Sequence, residues 1–160
     1  MSLTEYRKKR NFRKTPEPAP SPGKPGAEAA GRGLIYVIQK HQASRLHWDL
    51  RLEEGGELLS WAVPKEPPSE AGVRRLAVQV ENHTLVYAGF KGTIPEGEYG
   101  AGKVVIWDRG TYLPIETESG RRVVELQGRR LKGAYALIKL RSEDPKDKNW
   151  LFFKLKPKAK

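Results

Sequence analysis

Cysteine is absent from the 160 residues. Its absence excludes disulfides, thiolate metal sites and a cysteine nucleophile, and it fits a reducing compartment. No apolar run approaches the ~18 residues that cross a membrane. The opening is charged from Glu5 onward, so no secretory signal is expected. Together these predict a cytoplasmic, prokaryotic-type protein with no membrane partner. No Ser/His/Asp order argues covalent acyl chemistry. The Gly- and Pro-dense stretch 94–102 lacks a following Walker lysine, which argues against nucleotide binding through it. Histidine is scarce, with only His41, His47 and His83 in the chain. Acid is in deficit: 19 Asp and Glu face 30 Lys and Arg, a formal charge of +11. Such a surplus favours a polyanionic partner, nucleic acid before an anionic membrane. A basic protein without such a partner is the plain alternative, and charged tails are often only solvating.

The length suits one domain with a real core. Ser2 to Phe12 reads as a short basic helix, with Ser2 and Glu5 in capping-box spacing; a frayed arm fits the pattern equally. Pro16, Pro18, Pro20, Pro22 and Pro25 make the segment to Arg32 a semi-extended spacer. Residues 1–32 are therefore expected as a basic helix and Pro-rich arm, and 33–160 as the folded domain. From Gly33 the texture is β. Strands are expected at Leu34–Lys40, Arg45–Glu53, Glu57–Val63, Arg74–Asn82, Lys103–Asp108, Val123–Leu126, Ala134–Leu140 and Trp150–Leu155. Gly55-Gly56 would turn a hairpin, Leu85–Phe90 would be a further short strand, and Arg109-Gly110 another turn. About eight short strands and little helix predict a mainly β fold, a compact antiparallel barrel with apolar faces inward.

The most informative stretch is His41 to Leu52, HQASRLHWDLRL. From Leu46 it alternates: Leu46, Trp48, Leu50 and Leu52 face one way, His47, Asp49 and Arg51 the other. Side chains on one face lie ~7 Å apart, so His47 and Asp49 can lean toward one ion, with His41 folding back as a third ligand. Two imidazoles and a carboxylate suit a first-row divalent metal. A solvated polar face is the bland alternative, but such faces are usually Lys, Glu, Thr and Ser. The strand at 74–82 alternates too, placing Leu76, Val78 and Val80 opposite Arg75, Ala77, Gln79, Glu81 and His83. All three histidines thus fall in one kind of setting, which argues for one shared site.

A metal with Arg51, His83, Lys65 and Arg75 as donors points to phosphoester hydrolysis on nucleic acid. Two other readings stay open. One is a non-catalytic module that only grips nucleic-acid ends, accessory to a ligase. The other is a hydrolase of small phosphate esters, which the charge disfavours.

The stretches QKHQASRLHWDLRLE, LLSWAVPK, RRLAVQVENH and GTIPEGEYGAGKVVIWDRG, with YRKKRNFRKTPEP near the start, resemble the 3′-phosphoesterase domain of bacterial DNA ligase D. The resemblance covers nearly the whole chain and implies a β-barrel with a manganese-dependent groove. It implies removal of a 3′-terminal ribonucleoside from a DNA primer-template, then of the 3′-phosphate, in nonhomologous end joining. It implies His41, His47 and Asp49 as metal ligands, with Arg51 and His83 on the phosphate and Tyr87 behind His83. Lys65, Arg75 and Glu81 would join that surface, and Arg10 and Glu17 would come in from the arm. Manganese (Mn2+) is the implied cofactor; zinc (Zn2+) or cobalt (Co2+) also suits such ligands. A separate DNA ligase, polymerase or end-binding protein is an expected partner. Asn11 stands where the family usually has Asp, in the motif tied to the ribonuclease step. Trp48 replaces a usual Tyr, Asn82 a usual Asp and Glu66 a usual Gly.

Overall fold

The structure is a computed structural model, and it describes residues 33–94, 101–144 and 146–156. The expected helix at 2–12, the Pro-rich arm, Arg10, Asn11, Glu17 and residues 95–100 lie outside the described residues.

Nine strands follow in chain order: β1 Leu34–Gln42, β2 Leu46–Glu54, β3 Glu57–Val63, β4 Arg74–Thr84, β5 Gly92–Ile94, β6 Gly102–Glu118, β7 Arg121–Gln127, β8 Lys132–Lys139 and β9 Asn149–Lys154. Eight of them close a ring in the order β1-β2-β3-β4-β9-β8-β7-β6, with β6 pairing back to β1. The three-residue β5 lies against the start of β6 outside the ring. All these pairings are antiparallel, so closure leaves no edge running round the barrel. The expected antiparallel barrel is therefore the observed fold. Among the described residues no helix is long and apolar enough to cross a membrane.

Alternation in β1, β2 and β3 sends Tyr36, Ile38, Trp48, Leu50, Leu52, Trp61 and Val63 into the barrel. There they meet Tyr135, Leu137, Trp150 and Phe152 from the far wall. Burying each such large apolar side chain contributes about 1.5–3 kcal/mol. Leu46, expected on this face, is 44% exposed, because it lies at the open end of β2 beyond the core. The opposite faces of β1, β2 and β3 are also covered, by a smaller outer cluster of Leu58, Tyr87, Phe90, Ile94 and Val104.

Three readings of the sequence are corrected. Leu85–Gly89 is a 3-10 turn rather than a strand; it folds over the outside of the barrel and delivers Tyr87 to the outer cluster. In β4, Leu76 is exposed and Ala77 is in the core, so Leu76, Val78 and Val80 do not form a core face. The pairing explains this phase: Ser60 faces Val80, but Leu58 faces His83, so β4 carries one extra residue between them. That bulge swaps the faces. Val78, Val80 and His83 consequently share the outer side with Leu58, Ser60 and Ala62.

The third correction concerns Arg109-Gly110, which lie inside the 17-residue β6 rather than at a turn. A second bulge, at Trp107, points Asp108 into the barrel. Its Oδ2 accepts from the Tyr36 hydroxyl (2.7 Å) and the Leu131 amide (3.0 Å). Its Oδ1 accepts from the Arg129 and Arg130 amides at 2.8 and 3.0 Å. The acid that looks like a turn residue is thus a buried anchor for the loop leading into β8. Gly110 follows it because a Cβ there would collide with the carbonyl of Gln127.

The barrel's tyrosines give it an alkaline limit. Burial, then the Glu54 charge, pushes Tyr112 up to about 12. Burial, then the Asp108 charge, pushes Tyr135 up to about 12 as well. An unfolded tyrosine titrates near 10, so the folded state holds its phenolic protons more tightly. The stability from this difference is complete below about pH 10 and is lost as pH rises toward about 12. Urea unfolding is expected to show a lower midpoint at about pH 11.5 than at about pH 9. An unchanged midpoint would contradict this account.

Candidate metal and phosphate site

The hairpin register builds the site. His41 sits opposite His47 across β1 and β2, and Gln39 opposite Asp49. The Gly55-Gly56 turn fixes β3 so that Ser60 faces Arg51 and Ala62 faces Asp49. Three adjacent outward rows therefore converge, and the β4 bulge adds His83. The side chains of His41, His47, Asp49, Arg51, Glu81, His83 and Tyr87 line one cavity of about 310 Å³. Ala43, Ala62, Val80 and Ile94 complete its lining.

Asp49 is the centre of charge. Its Oδ2 lies 3.6 Å from His41 Nδ1, 3.3 Å from His47 Nε2 and 3.5 Å from Arg51 Nη2. Burial alone would raise its carboxyl, but Arg51 first, then His41 and His47, hold it well below the usual carboxylate range. Burial opposes the charge on His47, yet the hydrogen bond and charge of Asp49, with the Arg45 carbonyl, raise that ring above its ordinary value.

The donor set fits a divalent metal. One ligand atom from each of His41, His47 and Asp49 falls within 4.8 Å of the others. The carbonyl of Arg45 lies 3.0 Å from His47 Nδ1. A carbonyl only accepts, so Nδ1 carries the proton and Nε2, turned toward Asp49, is the nitrogen that would ligate a metal. This backbone bond is the usual device for fixing a metal-binding imidazole.

Beside this cluster stands a guanidinium with few N–H groups left over. Arg51 Nε donates to Gln39 Oε1 at 2.6 Å, and Nη1 donates to Ser60 Oγ at 2.7 Å. Nη1 also lies 2.9 Å from His83 Nδ1. Arginine can only donate and so calls for an accepting Nδ1, while the Glu81 carbonyl, 3.1 Å from the same Nδ1, calls for its proton. The fork expected to grip two phosphate oxygens is thus largely committed to the protein, and Nη2 is the nitrogen not tied to these partners. Tyr87 packs at a tilt against His83, ring centroids 4.7 Å apart, and lies 4.8 Å beneath the guanidinium carbon.

Not every expected residue joins the cavity. Lys65 is exposed past the end of β3 and does not line it. Arg75 sits on the other face of β4, where its Nε donates to the Glu66 carbonyl at 2.9 Å. Two residues that sequence reasoning passed over do belong. Gln39 is fully buried; beyond accepting from Arg51, its amide donates to the carbonyls of Tyr87 (2.7 Å) and Phe90 (3.0 Å). It ties the 3-10 turn to Arg51. Ser60 is the other, and its signal was present: a two-residue turn at Gly55-Gly56 sets Arg51 opposite Ser60 by counting.

Fold and site together define a β-barrel that carries an N,N,O metal-ligand cluster beside a fixed guanidinium, under a covering turn. The pattern of the DNA Ligase D 3′-phosphoesterase domain matches residues 39–139. The multifunctional non-homologous end joining protein LigD of Pseudomonas aeruginosa is 48% identical over 159 residues, covering 96% of this chain and 18% of that protein. Its namesake in Mycobacterium bovis is 48% identical over 158 residues, 96% of this chain and 20% of the relative. That of Mycolicibacterium smegmatis is 44% identical over 165 residues, again 96% and 20%. The chain thus spans about a fifth of the length of these relatives. It belongs to the DNA ligase D 3′-phosphoesterase domain family.

Proposed function

We propose that this chain is a manganese-dependent phosphoesterase that clears the 3′ ends of DNA in nonhomologous end joining. It would remove a 3′-terminal ribonucleoside and then the 3′-phosphate. The observation that carries the reading is the meeting, in one cavity, of the His41/His47/Asp49 cluster with Arg51 and His83. Family membership and the names of the relatives support it, as does the +11 charge. A DNA substrate fits a cytoplasmic location.

His41, His47 and Asp49 would hold the ion, and Arg51 and His83 would face the phosphate. A divalent ion bound there supplies positive charge to a phosphoryl oxygen and acidifies water. Arg51 Nη2 and the His83 imidazole donate to the remaining phosphoryl oxygens, where charge builds as the ester bond breaks. Asp49 keeps the guanidinium from facing the substrate as an uncompensated charge. Tyr87 holds the His83 ring by its tilted contact, and Gln39 keeps the turn that carries Tyr87 in place. Asn11 offers no carboxylate, so removal of the ribonucleoside is expected to be slower than removal of the phosphate.

The test uses 5′-labelled primer-templates ending in a ribonucleotide or in a 3′-phosphate, incubated with manganese, zinc, cobalt or chelator. Metal-dependent dephosphorylation by the native chain, absent in His47→Ala, would bear the reading out. No product from either end in any metal would hand the chain to the end-binding reading. His83→Ala is expected to lower dephosphorylation by roughly 10²–10³-fold, the usual loss of one transition-state donor. Its manganese affinity should stay within a few-fold of the native chain's, read by titration calorimetry. An equal loss of metal affinity would move His83 into the ligand set.

A further inference from the structure

The 3-10 turn has two sides. Tyr87 faces the metal and phosphate cavity. On the other side, Leu85, Ala88 and Gly89 wall a second, open groove of about 460 Å³. Its floor is the outer face of β1 and β6, with Ile35, Val37, Gly110 and Thr111. Among the described residues the groove has one ionised side chain, the exposed Arg109, and no acid lines it.

Arg109 reaches this surface because of the β6 bulge. The bulge turns Asp108 inward and puts Arg109 directly opposite outward-facing Val37. Val37 and His41 are four residues apart on β1, on the same face, a separation of ~13 Å along the strand. That is a few nucleotides along a strand's backbone. A cation at this distance, on the same face as the site, is placed for the backbone of a strand whose end lies in the cavity. The apolar walls suit sugar and base edges, which carry no charge, while the solitary guanidinium suits a phosphodiester.

We infer that the groove under Arg109 is a second subsite, which holds the sugar-phosphate backbone of nucleic acid a few nucleotides from the reacting end. The inference rests on the nucleic-acid reading proposed above and adds a residue and a surface to it. Among the described residues no other basic side chain lines this groove.

The test is fluorescence anisotropy of the full chain with a labelled recessed duplex ending in a 3′-phosphate, in chelator so that nothing turns over. Affinity is measured across a salt series for the native chain, Arg109→Glu, Arg109→Lys and Lys139→Glu. Lys139 is an exposed lysine of β8, which does not adjoin the groove, and its reversal changes net charge by the same amount. Losing one phosphate contact should flatten the slope of log affinity against log salt by about one. Arg109→Glu is expected to show that change and to bind about tenfold more weakly at low salt. Arg109→Lys should keep the native slope, and Lys139→Glu should lie near the native chain. Equal losses for Arg109→Glu and Lys139→Glu would overturn the subsite, leaving only a general charge effect. Native affinity and slope in Arg109→Glu would also overturn it while leaving the cavity reading intact. No binding by the native chain would remove both.

Discussion

Asp49→Ala is expected to eliminate metal binding and turnover together. The carboxylate lies within 3.6 Å of both histidines of the cluster and of Arg51. Its removal takes away one ligand and the only negative charge of the cluster. Three cationic or potentially cationic groups then face one another in one cavity. Losing even an outer-shell partner lowers metal affinity by roughly 10–100-fold, so loss of a ligand should exceed that. Manganese titration followed by calorimetry measures the first effect, and release of phosphate from a 3′-phosphate end measures the second. The barrel itself should remain folded, since the core lies on the opposite face of β2. Native turnover in this variant would remove the metal site from the protein.

Arg51→Met should damage both stability and rate. The side chain is only 3% exposed and satisfies Gln39 and Ser60 as well as standing against Asp49. Removing one partner of a buried ion pair typically destabilises by about 3–5 kcal/mol, because the other charge is left behind. Urea melts in chelator should show a loss of that order. Turnover should fall by at least roughly 10²–10³-fold, the usual consequence of deleting a transition-state donor. Arg51→Lys keeps the charge but cannot reach Gln39, Ser60 and Asp49 from one planar group, so it should recover little of either. A lysine variant with native stability and rate would show that charge alone matters there.

These two residues also show how much the sequence made legible. Alternation in HQASRLHWDLRL was enough to put His47, Asp49 and Arg51 on one face, and the Gly-Gly turn was enough to align β3 with it. The barrel followed from strand count and spacing. What period alone cannot supply is a change of phase. Both bulges escaped the reading, because a bulge is set by how two distant strands pair and not by either strand's composition. One consequence was the inverted assignment of Leu76, Val78 and Val80; the other was the turn assigned to Arg109-Gly110. Lys65 and Arg75 were grouped with the site by charge and proximity in sequence, whereas the described cavity excludes both. Gln39 went unnoticed for a different reason: an amide between hydrophobic neighbours gives no signal until the turn it binds is in place.

The extra residue in β4 has a consequence beyond the local kink. Between Val80 and His83 the count is odd where β3 advances by two. A chain one residue shorter there would pair more regularly and lose nothing in sheet hydrogen bonding. Its imidazole, then two residues after outward-facing Val80, would still face Arg51, whereas the full-length strand without the bulge would turn it into the barrel. The parity of three residues decides whether that histidine meets the guanidinium or the core.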